Sequence, residues 1–132
     1  MIVDANVLVS AFLGRSLPLI VELRARGVDV LMPSHQYLES RLMAGRKGGW
    51  SPDDFDAIAG AVVEVLSLDG YIDQEDVARA RLGVRGQPDW PVLAAALAFD
   101  HDIWSNDRDF FGVGVPIWTT ANVQFVRSDM KR

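Results

Sequence analysis

Residues 90–107 read WPVLAAALAFDHDIWSND, and their interpretation decides the fold. From Trp90 to Phe99 the run is apolar nearly all round, which predicts a helix buried on most of its sides. Ile103-Trp104 follows as a short strand, and beyond it stand Ser105, Asn106, Asp107 and Asp109. Working outward, the same alternation repeats. Strands are expected at 1–3, 28–32, 65–68 and 116–119, with an apolar stretch at 7–13. Ser16 opens a helix over 17–26 that Gly27 stops. Pro33-Ser34 starts another, expected to end before the loop Gly45-Arg46-Lys47-Gly48-Gly49. Ser51-Pro52-Asp53-Asp54 is a third helix start, with a capping hydroxyl, proline in the first turn and carboxylates at the positive end of the dipole. A short helix is predicted at 73–82 and a polar loop at 83–88. Strands alternating with helices predict a parallel sheet covered on both faces. The expected architecture is a three-layer α/β/α domain over 1–132, with a central, mostly parallel sheet of about five strands.

Composition narrows the chemistry. The chain has 132 residues, a net charge of −5, 49% hydrophobic residues and no cysteine. That length suits one domain with a full core, and the hydrophobic share excludes a disordered tail. No apolar run approaches the roughly 20 residues of a membrane span, and the N-terminal stretch is a poor signal peptide because it lacks a basic segment and carries Asp4 early. Without cysteine there are no disulfides, thiolate nucleophiles or zinc ribbons, which fits a reducing cytoplasm. The acidic balance argues against a broad electrostatic grip on nucleic acid, but not against an enzyme that meets phosphates through bound cations.

The acids then become informative by position. In an open parallel sheet, ligands bind beyond the carboxyl ends of the strands. Asp4 ends the first strand, Asp107 and Asp109 follow the fourth, Asp89 stands at the start of the buried helix, and Glu39 lies in the second turn of the helix after strand two. Taken singly, each has a structural role open to it. Asp89 can cap its helix, Asp107 or Asp109 can cap the turn at Phe110, and Glu39 can be a solvated helix residue. Asn6 can cap the first helix. Asp4 is the hardest to explain structurally. Clustered carboxylates raise one another's pKa unless a cation neutralises them. Oxygen ligands without His or Cys favour Mg²⁺ or Mn²⁺ over zinc, and such a site suits phosphodiester hydrolysis.

These pieces resemble the PIN-domain ribonucleases, especially the small bacterial ones that include the VapC-type toxins. The matching segments are Ile2-Val3-Asp4-Ala5-Asn6-Val7-Leu8, Glu39, Asp89-Trp90-Pro91-Val92-Leu93-Ala94-Ala95-Ala96-Leu97, and Trp104-Ser105-Asn106-Asp107-Arg108-Asp109-Phe110. The resemblance implies a PIN-like fold and a Mg²⁺- or Mn²⁺-dependent endoribonuclease with Asp4, Glu39, Asp89 and Asp107 as its acidic quartet. Asp109 would be an additional or water-mediated metal ligand. Ser105 would orient an acid or a water, and Asn6 would stand behind the ligands. It further implies a homodimer and, for a true toxin, a cognate antitoxin. The chain departs from the family pattern at Ala5, where many members have Thr or Ser. Candidate RNA-facing residues are Arg15, Arg46, Lys47, Arg85 and Arg108, each of which also reads as a solvated surface charge.

Other classes fit less well. A haloacid-dehalogenase-like phosphatase needs a second Asp two residues after the first, where this chain has Asn6, which cannot act as a general acid. A receiver domain needs a late Lys, and Lys131, in the C-terminal stretch, is the only one beyond Lys47. The remaining alternative is a PIN-like module that binds RNA or protein without cutting. His35 and His101 have no partner at metal-ligand spacing and read as surface residues, while Trp50, Trp90, Trp104 and Trp118 read as core or interface. Residues 127–132 are expected to fray.

Overall fold

Ile2 and Val3 are adjacent on one strand, so their side chains point to opposite faces, yet both are fully buried. The sheet that holds them must therefore be covered on both sides. A computed structural model of the chain, described for residues 1–126, has this arrangement. The elements are β1 (Ile2–Val3), α1 (Ala5–Phe12), α2 (Leu17–Ala25), β2 (Leu31–Pro33), α3 (Ser34–Gly48), α4 (Pro52–Val62), β3 (Glu64–Leu66), α5 (Glu75–Arg81), α6 (Trp90–Phe99), β4 (Ile103–Trp104) and β5 (Ile117–Trp118). The five strands pair in the order β3-β2-β1-β4-β5, every pair parallel.

The alternation divides the core. Val3, Met32 and Trp104 pack with the helices of the first half of the chain, around Leu8, Ile20, Leu23 and Phe55. Ile2, Leu31 and Ile103 pack on the other face against Val92, Leu93 and Ala96 of α6 and Ala78 of α5. Helix α6 spans the predicted residues, and its side chains from Trp90 to Ala96 are all buried. Three layers result, with α6 as the central helix of one of them.

Several boundaries differ from the sequence reading. The second strand begins at Leu31 rather than Val28, because Gly27 takes φ 88° and the Val28 N–H returns to the Leu23 carbonyl at 3.0 Å. Residues 28–30 thus complete the helix stop, and Leu31 is the first to enter register, opposite Ile2. Helix α3 runs through Gly48 instead of ending before Gly45. Gly48 is there for packing: a Cβ on it would lie 2.9 Å from Trp50 Cδ1 and 3.0 Å from Leu13 Cδ2. Gly49, at φ 71°, ends the helix. The third strand is shifted to Glu64–Leu66, and the helix expected at 73–82 is a 3₁₀ turn, Ile72–Gln74, followed by α5. The loop at 83–88 is a 3₁₀ segment, Val84–Asp89, whose Gln87 amide donates to the carbonyls of Arg79 and Leu82 at 2.8 and 3.0 Å. The fraying expected of residues 127–132 lies outside the described residues. Among the described residues, no single helix is long and apolar enough to cross a membrane.

Candidate active site

The chain moves from β1 to β2 and β3 on one side, then returns to β4 on the other side of β1. This reversal opens a crevice at the carboxyl ends of β1 and β4. Asp4 occupies the first of these ends. It stands at the N-cap of α1, but its side chain makes no capping bond. Its Oδ2 instead accepts from the Ser105 hydroxyl at 2.7 Å, just past β4. The same Ser105 oxygen accepts the Asp107 N–H at 3.0 Å, and Asp107 Oδ1 accepts the Asp109 N–H at 2.9 Å. A chain of hydrogen bonds therefore orients both carboxylates relative to β1 and β4. Asp107 also caps its 3₁₀ turn, so its structural role and its place at the crevice coexist.

Glu39 and Asp89 approach from α3 and from the start of α6. Burial raises the Asp4 carboxyl to about 6. The Ser105 hydroxyl and the adjacent Ala5 N–H pull it down, while the charges of Asp107 and Glu39 push it up. Asp89 is raised to about 7, first by burial and then by the charges of Asp4, Asp107 and Glu39, with a hydrogen bond to Asp107 favouring its protonated form. Four acids distant in sequence thus share one electrostatic neighbourhood. Asp4 is buried, Asp89 and Asp107 are half-buried, and Glu39 is exposed at the edge.

The donor chemistry fits a hard divalent cation, since every donor is a carboxylate oxygen and Asp4 and Asp89 hold their protons more tightly beside the neighbouring charges. The geometry is open. Among the described residues, no three carboxylate or imidazole side chains close around a point where an ion could sit.

A family model described as PIN domain matches residues 2–128. The chain belongs to the PIN-domain family. A toxin–antitoxin complex from Klebsiella pneumoniae contains a chain of the same fold, with a TM-score of 0.69 and 17% identity, covering 90% of this chain and 96% of that one. No curated protein matches in sequence.

The remaining candidate residues of this PIN domain separate by position. Asn6 is the second residue of α1, exposed, and does not cap the helix; Asp4 holds that position. Asp109 is half-buried and is tied to the crevice through its backbone N–H. Arg15, Arg85 and Arg108 are exposed on turns, while Arg46 and Lys47 belong to the last turn of α3 rather than to a loop. Two buried polar residues at the site were not read from the sequence. Gln36 Oε1 accepts the Ala5 N–H at 3.0 Å, and the Ser40 hydroxyl donates to the Gln36 carbonyl at 2.8 Å. They fasten α3 to the chain beside Asp4. Gln36 stands 31 residues from its partner, so local pattern carries no sign of the contact.

Proposed function

We propose that this PIN domain is a divalent-metal-dependent endoribonuclease that cuts RNA phosphodiester bonds, acting as the toxin of a toxin–antitoxin pair. The observation that carries this reading is the raised carboxyls of Asp4 and Asp89 at the β1/β4 crevice, both pushed up in part by the charges of Glu39 and Asp107. Mg²⁺ or Mn²⁺ bound at such a site would supply positive charge to a phosphate and lower the pKa of a water. Asp4 and Asp107 would be its ligands at the strand ends, with Glu39, Asp89 and Asp109 completing the set. Ser105 holds the Asp4 carboxylate in one orientation. Without a cation, burial and the neighbouring acids raise Asp89 to about 7, so a cation held there would displace a proton near neutrality. Likeness in fold to a chain of a toxin–antitoxin complex supports an antitoxin partner. The family likeness favours a homodimer, and the lack of cysteine fits a reducing, cytoplasmic site of action.

The test is cleavage of single-stranded RNA by the wild type and by Asp4→Asn, with Mn²⁺ or Mg²⁺ and with EDTA. Wild type should cut, the variant should not, and EDTA should stop cleavage without unfolding the chain. Equal cleavage by both proteins, or none by either under any divalent ion, overturns the reading. RNA bound but never cut would favour the binding module instead.

A further inference from the structure

His35 lies on the rim of this crevice in an arrangement that nuclease chemistry alone does not require. It is in the first turn of α3, four residues before Glu39, so the two side chains share a helix face. Its ring meets Trp90, the residue after Asp89, with centroids 5.5 Å apart and planes inclined at 63°. The imidazole therefore sits between the elements that carry two of the four acids.

Its orientation is held from beneath. The hydroxyl of Tyr71, a fully buried residue, is 2.7 Å from His35 Nδ1, 3.0 Å from the Ser34 hydroxyl and 3.5 Å from the His35 backbone N–H. The backbone N–H can only donate to the Tyr71 oxygen, while the phenolic proton can go to His35 Nδ1 or to the Ser34 hydroxyl. When the phenolic proton points at Nδ1 the neutral ring carries its own proton on Nε2, and a protonated ring carries one there as well. In both of these states Nε2 is a donor on the far edge of the ring of an exposed residue, and no described residue accepts from it. Arg79, the other basic side chain against Trp90, is engaged by Glu75 at 2.8 Å and Gln87 at 3.3 Å.

We propose that His35 contacts an RNA phosphate at the rim of the acidic crevice, donating through Nε2, with Tyr71 holding the ring in place. The inference rests on the ribonuclease reading. It supplies what a cluster of carboxylates lacks, a hydrogen-bond donor that draws in the phosphate backbone without competing for the cation.

Steady-state cleavage of a short single-stranded RNA in Mn²⁺ tests it. His35→Ala should raise KM about tenfold, with kcat within about twofold, as expected for loss of one phosphate hydrogen bond. His35→Gln, which retains a donor, should recover most of the loss. Tyr71→Phe should raise KM by less. A fall in kcat with KM unchanged, or His35→Gln no better than His35→Ala, overturns the proposal.

A second measurement does not need cleavage. The chain has two histidines. His101 lies beside the N-terminal amine at the opposite end of β4, so its ring is an internal reference. In the imidazole NMR spectrum of the wild type with Ca²⁺, added RNA should move the His35 signals and leave those of His101 in place. Movement of His35 without cleavage in Mn²⁺ would keep this inference while removing the nuclease reading. A His35 ring that RNA leaves unmoved overturns the inference whether or not the chain cuts.

Discussion

Asp4 forgoes the cap that its position offers. A carboxylate at an N-cap normally accepts an N–H from its own helix. Here it turns to Ser105 instead, a residue 101 positions away. Replacing Asp4 by Asn retains the shape and an acceptor oxygen but removes the charge. The expected result is a fall in cleavage of at least about a hundredfold with the fold intact, checked by kinetics beside circular dichroism. Ser105→Ala removes the donor to Asp4 and the acceptor for the Asp107 N–H together. Burial would then raise the Asp4 carboxyl further, and cleavage at neutral pH should fall about ten- to a hundredfold. Ser105→Thr should retain most of the activity, because the hydroxyl survives. The positions of Asp4, Asp89 and Asp107 can be read in the sequence because each falls at a strand end or a helix start, where the sequence marks the boundary. Glu39 carries the weaker mark, its place in the second turn of the helix after strand two, since a solitary Glu in an amphipathic helix has no strong local signature.

At the scale of elements, α3 forms one wall of the crevice. Gln36 and Ser40 fasten it to the beginning of α1, and both are buried. Gln36→Leu removes the oxygen that accepts the Ala5 N–H in a buried place, so it should destabilise the chain by about 1–3 kcal/mol in urea unfolding. Asp4 is held partly through this junction, so kcat should fall as well. The far end of α3 shows where sequence reading failed. Gly45 and Gly48 look like a loop, but the cause of Gly48 lies in Trp50 and Leu13, which leave no room for a Cβ. Helix α6 was legible residue for residue because an unbroken apolar run admits few alternatives.

For the whole molecule, the cluster imposes a dependence on pH. The folded-state values of Asp4 and Asp89, about 6 and about 7, lie above the ordinary 3.8. The folded chain therefore binds these protons more tightly than the unfolded chain. The stability they contribute is full below about pH 4 and is lost as pH rises through 6 and 7. Asp56, lowered by its bonds to Tyr37 and Arg41, acts in the opposite sense, but only at the acidic end. In EDTA, Tm should therefore fall by about 5 °C between pH 5 and pH 8. Mn²⁺ should restore more of it at pH 7.5 than at pH 5, because the cation and the protons compete for the same oxygens. Scanning calorimetry at the two pH values decides this, and a Tm that rises with pH in EDTA would contradict it.

The sequence alone determined the alternation of strands and helices, the three layers and the family, because apolar periodicity and short ordered motifs are local properties of the chain. The tertiary structure decided which polar groups face one another. The bond from Ser105 to Asp4, the grip of Gln36 on Ala5 and the clamp of Tyr71 on His35 each span more than thirty residues. Their partners are set by how the sheet stacks its helices, and a hydrogen bond depends on positions in space that no local pattern records.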